Sequence, residues 1–171
     1  MLEIVTFPNE ILKRRTNPVK AVDAETKEII NEMKDTMYKN DGIGLAANQV
    51  NIPLSIMVID TTSREDEEEK FKGVLINPTV LAKEGDIKFK EGCLSFPGLQ
   101  VEVVRAKEIT VKAINEYEEE VILHFTGLPA IVFQHEFDHL SGITFLDRLS
   151  GIKKRLALEK YQKILKEKVG A

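Results

Sequence analysis

The chain has 171 residues, of which 43% are hydrophobic and 30% charged, so it can build one real core but is short for two. We therefore expect one domain over residues 1–171. The net charge of -4 argues against a nucleic-acid binder, so no DNA partner is expected. The single cysteine excludes an internal disulfide, and no apolar run fits a signal peptide or membrane span. A cytoplasmic protein without a membrane partner is the expectation.

The first regular element in chain order is a helix, predicted from Asp23 to Tyr38. Ile30, Met33 and Met37 recur at spacings of three and four and make one apolar stripe. Asp23 can cap the N-terminus, and Asp41-Gly42 marks the end of the helix. One face of this helix should therefore pack against a core.

The middle of the chain carries short strand patterns separated by polar segments. Apolar runs or apolar–polar alternation predict strands at Ile56–Ile59, Val74–Ile76, Gly98–Val104, Ile109–Ile114 and Val121–Phe125. Asn77-Pro78 is expected to end the second of these strands. The charge run at residues 64–70 should be a solvated loop, and residues 116–120 a polar hairpin tip.

A second helix is predicted to open at Thr126 or Gly127 and to end near Ser141-Gly142. Pro129 fits its first turn, where the missing N–H has little consequence. The helix is apolar on most sides, which predicts that it is buried. Because the strands come before this central helix, the order of elements favours an α+β fold.

The last predicted helix runs from about Lys153 to Lys168, with Leu156, Ile164 and Leu165 as packing residues. Residues 153–171 hold seven basic and two acidic side chains. The simpler interpretation is a solvated amphipathic helix. The alternative is a contact of these cations with ribosomal RNA phosphates.

The strongest chemical motif is His135-Glu136-Phe137-Asp138-His139, in the central helix. Histidines four residues apart lie one turn apart on the same face, so both can bind one metal at about 2.0–2.1 Å. Glu136 can then act on a water at the metal without binding the metal, the arrangement of zinc hydrolases. The alternative is a helix face that merely carries histidines, which the apolar neighbours disfavour because buried unpaired polar groups are destabilising.

A catalytic metal site needs a third protein ligand, and the pattern leaves its identity open. Cys93 lies in EGCLSFPG, but a lone cysteine is most often a small buried apolar residue. His124 lies in VILHF, where an ordinary strand residue is the better interpretation. A closed structural site would need four protein ligands and would leave Glu136 without a role. Three ligands plus a water is therefore the favoured arrangement.

A third motif, GIGLAANQ, covers residues 42–49. Its glycines allow close backbone approach to a ligand or a positive φ. The side-chain amide of Gln49 can donate a hydrogen bond to an oxyanion. The simpler alternative is a glycine-rich turn between a helix and a strand, and the absence of a following lysine excludes a phosphate loop.

Taken together, GIGLAANQ at 42–49, EGCLS at 91–95 and QHEFDH at 134–139 resemble the three motifs of peptide deformylases in order and separation. The resemblance extends to Asn77-Pro78 and to GITFLDRLS at 142–150, so it spans most of the chain. It implies antiparallel or mixed β-sheets packed around a central metal-binding helix, with an N-terminal and a C-terminal helix. It also implies hydrolysis of the formyl group from the N-terminal formylmethionine of new polypeptides, with release of formate.

The resemblance assigns roles to individual residues. It implies a set of metal ligands: Cys93, His135 and His139. It makes Glu136 the general base and then the general acid, with the Leu94 backbone N–H and the Gln49 side chain as oxyanion donors. Fe²⁺ is the expected native ion, while Zn²⁺, Ni²⁺ or Co²⁺ can occupy such a site. The partners implied are N-formylmethionyl nascent peptides.

Specificity for methionine requires an apolar pocket beside the metal. As a hypothesis, it is formed by Ile43, Gly44, Leu128, Ile131 and Val132. The last three precede His135 at helical spacing, and the alternative for them, Leu128 above all, is an ordinary core position.

Two other functions compete with a deformylase. A zinc endopeptidase also uses H-E-x-x-H with a water, but its third ligand is normally a histidine or glutamate further along the chain. A noncatalytic structural metal module would need four protein ligands and would tolerate changes of Glu136.

Overall fold

A computed structural model of the chain describes residues 2–170, with side chains as far as residue 168. Its helices are α1 (Ala24–Lys39), α2 (Gly127–Leu140) and α3 (Gly151–Gly170). Its strands are β1 (Gly44–Ala46), β2 (Ile56–Asp60), β3 (Lys72–Glu84), β4 (Ile87–Gly92), β5 (Gln100–Arg105), β6 (Glu108–Ile114) and β7 (Glu120–Thr126). Among the helices of these residues, none has the length and apolar character needed to cross a membrane.

Two antiparallel sheets organise the strands. The larger has the order β1-β2-β3-β6-β7, and β4 pairs with β5 in a separate hairpin. Helix α2 packs on the larger sheet, where Ala130 and Phe133 join Met57, Leu75 and Phe125 in one buried cluster. The predicted α+β class and the central helix are confirmed.

The predicted local signals of α1 and α2 are confirmed. The Asp23 carboxylate caps α1 by accepting a hydrogen bond from the Thr26 N–H at 2.9 Å. Ile30, Met33 and Met37 form the buried stripe of that helix. In α2 nearly every residue is buried, as its all-round apolar sequence predicts.

The prediction that Asn77-Pro78 ends a strand is wrong. Strand β3 continues to Glu84 across a register shift between Ile76 and Thr79. Asn77 has a φ of 51° there, and its side chain bonds both Val19 N–H and Val19 C=O at 2.8 Å. Pro78 lies inside this bulge, where its missing N–H breaks no bond of the ladder.

The hairpin β4–β5 also departs from the prediction. No strand was predicted at 87–92, and the strand expected at Gly98 begins at Gln100 and ends at Arg105. In β4 the fully buried residue is Glu91. Because the inward-facing position 91 holds a charged residue instead of an apolar one, β4 lacks the apolar–polar alternation by which strands are recognised. The exposed run at 64–70 and the polar turn before β7 agree with prediction.

The face of α3 that packs inward was predicted only in part. Ile164 is half-buried against the core, but Leu156 is 54% and Leu165 36% exposed. Among the side chains of this helix that the structure describes, the buried ones are Ala157 and Tyr161. Tyr161 packs edge-on against Phe96, so an aromatic contact from a distant loop decides which face turns inward.

Candidate metal centre and active site

Three side chains from two parts of the chain converge at helix α2. Cys93 follows β4, and His135 and His139 lie one turn apart on α2. Their ligand atoms all lie within 4.8 Å of one another. Cys93 Sγ is 3.3 Å from His139 Nε2, which is 3.2 Å from His135 Nε2. This is the set of ligands that the resemblance implied, and its donor atoms face one point.

The donors fit a divalent metal. Burial and the neighbouring His135 hold the pKa of His139 well below its ordinary value, so its imidazole is neutral, the form that binds metals. Thiolate and imidazole together suit zinc and iron alike. His124 does not join the group, because it lies on β7 with its side chain 55% exposed and its Nδ1 2.9 Å from Thr110 Oγ1. Its prediction as an ordinary strand residue agrees with this position.

Glu136 lies beside the cluster and is 4% exposed. Burial is the largest influence on its carboxyl and raises its pKa to about 7, against the opposing charge of His135. Within the described residues, its Oε1 has no hydrogen-bond partner. A carboxylate with a pKa near neutrality and a free oxygen is suited to accept and return a proton.

Gly44 leaves the space that this carboxylate occupies. A Cβ at position 44 would lie 2.7 Å from Glu136 Oε2 and 2.7 Å from Val132 Cγ1. These distances are shorter than real Cβ contacts, so a larger residue would displace one of the two side chains. Gly44 of the GIGLAANQ motif is therefore required by close approach rather than by a positive φ.

Gln49 is held in a defined orientation with its donor toward the cluster. Its Oε1 accepts a hydrogen bond from the Ala46 N–H at 3.0 Å. Its Nε2 lies 3.2 Å from Ser95 Oγ and 3.6 Å from Cys93 Sγ. The neighbouring Asn48 donates to the carbonyl of His139, which ties this segment to α2. The Leu94 N–H makes no hydrogen bond to any residue that the structure describes.

A cavity of about 680 Å³ opens onto these groups. Cys93, His135, Glu136, Gln49 and Leu94 all line it. So do the predicted methionine-pocket residues: Ile43, Gly44, Leu128, Ile131 and Val132. The structure therefore brings every predicted site residue to one place, with His139 fully buried behind the wall.

Comparison with known proteins decides the family. The model of the polypeptide deformylase family matches residues 1–155. The chain belongs to the peptide deformylase family. A peptide deformylase of Aquifex aeolicus is 58% identical over 97% of this chain and 98% of its own length. Crystal structures of the deformylases of Legionella pneumophila and Ehrlichia chaffeensis superpose with TM-scores of 0.89 and 0.90.

The two structures agree with this chain over nearly their whole length. The Legionella enzyme is 37% identical, covering 99% of this chain and 98% of its own. The Ehrlichia enzyme is 34% identical, covering 99% of each chain. The predicted family and activity are thereby confirmed: this deformylase is a hydrolase that removes the N-formyl group from new polypeptides.

A buried ion-pair network lies next to the candidate ligand His135 of this deformylase, and the sequence did not predict it. His135 Nδ1 lies 2.8 Å from Glu91 Oε1, and Glu91 receives two hydrogen bonds from Arg105, at 2.8 and 2.9 Å. Arg105 also bonds Asp138 at 2.6 Å, and the half-exposed Arg148 closes the network on the other side of Asp138.

The network fixes the ring of His135. Burial opposes ionisation of Glu91, but its bonds to Arg105 and His135 outweigh burial and lower its pKa to about 2. A charged carboxylate hydrogen-bonded to Nδ1 orients the ring and leaves Nε2 available to bind a metal. Glu91 begins the EGCLS motif, and the frequent pairing of metal-bound histidines with carboxylates could have identified it.

Proposed function

We propose that this deformylase binds one divalent metal through Cys93, His135 and His139 and uses Glu136 for proton transfer. The observation that carries the proposal is the buried Glu136 carboxylate, whose Oε1 has no partner among the described residues, in the same cavity as the ligand cluster. When bound, the metal would supply Lewis-acid activation of water and of the formyl oxygen.

In the proposed reaction, Glu136 accepts a proton from the water that attacks the formyl carbon. Gln49 and the Leu94 N–H donate hydrogen bonds to the oxyanion that forms. Loss of one such donor typically raises the barrier by about 2.7–4 kcal/mol. Glu136 then returns its proton to the amine nitrogen as the carbon–nitrogen bond breaks. Formate and a free N-terminus are the products.

The methionine side chain is proposed to occupy the apolar wall formed by Ile43, Gly44, Leu128, Ile131 and Val132. All of these residues line the cavity that holds Glu136. Ile131 is 4% exposed, so Ile131→Asp should raise KM for formyl-methionyl peptides by placing a charge in the pocket. An unchanged KM in a folded Ile131→Asp protein would remove Ile131 from the pocket.

Fe²⁺ is proposed as the native ion, with Zn²⁺, Ni²⁺ or Co²⁺ as substitutes. The support is the chemistry of the donors, since thiolate and imidazole ligands accept all of these ions. An iron centre beside a thiolate should be sensitive to oxygen. The iron-loaded enzyme is therefore expected to lose activity in air and keep it under argon, and equal stability in both would contradict Fe²⁺ as the working ion.

We further propose that residues 1–171 form one domain and that the protein acts in the cytoplasm, where formylated chains emerge. We also propose that α3 contacts the ribosome. The exposed basic residues of α3 support that contact: Lys153, Arg155, Lys160, Lys163, Lys166 and Lys168. Removing the helix would also expose the aromatic packing around Tyr161, so substitution is the cleaner test. Changing Lys153, Lys163 and Lys166 to Gln should weaken ribosome co-sedimentation, and undiminished binding would refute the contact.

Formate release from formyl-Met-Ala-Ser tests the function. The iron- or nickel-loaded protein, handled anaerobically, should release formate from this peptide and should leave acetyl-Met-Ala-Ser intact. It should also leave an internal peptide bond uncleaved, which a zinc endopeptidase would hydrolyse. No formate from any metal-loaded sample would contradict the proposal and favour a structural metal site.

A further inference from the structure

The outer part of the active-site cavity carries positive charge. Lys160 of α3 and Arg64 of the loop before β3 line the same cavity as Glu136, and both are exposed. Within the described part of the chain, neither lies within 4.0 Å of a carboxylate oxygen. The exposed acid in the lining is Asp41.

Two other charges in the lining have a side chain of opposite charge near them. Glu91 is buried in its ion pair with Arg105. Lys90 also lines the cavity, and Glu102 lies directly opposite it in the β4–β5 hairpin, so the field of Lys90 is weakened although the two form no ion pair within 4.0 Å in the described residues. Arg64 precedes a run of acidic residues, which weakens its field. Lys160 is therefore the cation with the least compensation.

Packing of α3 holds Lys160 at this wall. The next residue, Tyr161, is 2% exposed, and its ring centroid lies 5.3 Å from that of Phe96, itself a lining residue of the cavity. Ile164 covers Gly98 so closely that a Cβ there would lie 3.2 Å from Ile164 Cγ2. These contacts fix the backbone of Lys160 while its side chain keeps the freedom to reach a ligand.

We propose that Lys160, supported by Arg64, is a specificity-determining residue that favours formyl peptides with Asp or Glu in the positions after methionine. The inference rests on the proposed function, because with the formyl group at Glu136 the following residues extend toward the outer part of the cavity. An exposed ion pair of this kind corresponds to a preference of roughly two- to five-fold. The contact raises kcat/KM mainly through KM.

C-terminally amidated formyl-Met-Ala-Asp, formyl-Met-Ala-Asn and formyl-Met-Ala-Lys test the proposal, since amidation leaves the third residue as the charge that differs. A second series carries the same residues directly after methionine. The metal-loaded parent should favour the Asp peptides over the Lys peptides, and high salt should remove the difference. The measured quantity is the ratio of kcat/KM for the Asp peptide to kcat/KM for the Lys peptide. Lys160→Met should bring this ratio close to one, Lys160→Arg should keep it above one, and Lys160→Glu should bring it below one.

Lys163→Met is the matched control, because Lys163 lies on the same helix, carries the same charge and does not line the cavity. Its ratio should equal that of the parent. Two results would overturn the assignment of Lys160. One is an equal loss of the preference for Asp peptides in Lys160→Met and Lys163→Met, and the other is a parent that shows no preference for Asp over Lys peptides in both series. The neutral Asn peptide reports the proposed function separately: no formate from it in the parent would overturn that function and this inference together.

Discussion

Helices α2 and α3 differ in burial: α2 is enclosed by the rest of the molecule, whereas α3 lies at its surface. In α2 nearly every side chain is buried, and its polar groups include the two candidate metal ligands and Asp138, which bonds Arg105. In α3 Ala157 and Tyr161 are the residues fully buried among the side chains described, and most of its cations face solvent. The difference fits the proposed division of roles, in which α2 holds the metal ligands and Glu136 in a geometry fixed by packing, while the exposed face of α3 contacts only the distant part of the peptide.

The sharpest contrast should come from the ligand cluster. Cys93→Ala removes the thiolate that completes the set with His135 and His139, so metal content and formate release should both be lost. His124→Ala is the control, because His124 lies outside the cluster with its side chain 55% exposed. Elemental analysis and turnover of both variants check this. Full metal content in Cys93→Ala would contradict the proposed ligand set.

A smaller but still large effect is expected at Gly44. The new Cβ of Gly44→Ala meets Glu136 and Val132 at 2.7 Å, and a misplacement of about 1 Å in an active site can lower the rate about 10²-fold. Metal content should be unchanged, so the loss appears in kcat. Gly151→Ala, at the start of α3, has nothing within 4 Å of its Cβ and should leave kcat as it is. Equal rates for the two variants would show that Glu136 has room to move.

Glu91→Gln should reduce metal affinity rather than abolish it. The amide keeps the shape of the side chain but loses the charge that orients His135 and balances Arg105. Loss of such a partner typically weakens metal binding by about 10–100-fold. Chelator competition measures the affinity, with Glu102→Gln on the exposed side of the same hairpin as the control. The same affinity in both variants would separate the network from metal binding.

The last prediction concerns stability rather than activity, and the same Leu→Ala change in each helix compares the two helices directly. Leu140 of α2 is 4% exposed, so Leu140→Ala should lower the free energy of unfolding by about 2–5 kcal/mol. Leu156 of α3 is 54% exposed, so Leu156→Ala should change it by less than about 0.5 kcal/mol. Denaturant titration of both proteins provides the numbers. Comparable losses would mean that α3 contributes more to the core than its exposure indicates.

The features predicted correctly from the sequence are those specified by nearby residues. The Asp23 cap, the apolar stripe of α1 and the all-round apolar character of α2 are local, and so is the spacing of His135 and His139. Cys93 and Gln49 are different. Their approach to α2 depends on strand pairing far along the chain, so only the resemblance of the three motifs assigned them a place.

The features missed depend on contacts that no local pattern contains. Strand β3 passes Asn77-Pro78 because the Asn77 side chain bonds Val19, fifty-eight positions away. Glu91 is buried in β4 because Arg105 pairs with it across the hairpin. The inward face of α3 follows from Tyr161 meeting Phe96 rather than from the leucines of the helix. Each of these is decided by tertiary partners.

In the proposed reaction Glu136 transfers the proton without binding the metal. The direct measurement is anaerobic formate release from formyl-Met-Ala-Ser by the parent and by Glu136→Ala, each with its metal content determined. We expect Glu136→Ala to hold as much metal as the parent and to release formate about 10²–10⁴-fold more slowly than the parent. Turnover near the parent rate with metal bound would contradict this expectation, and so would loss of the metal, which would make Glu136 a ligand.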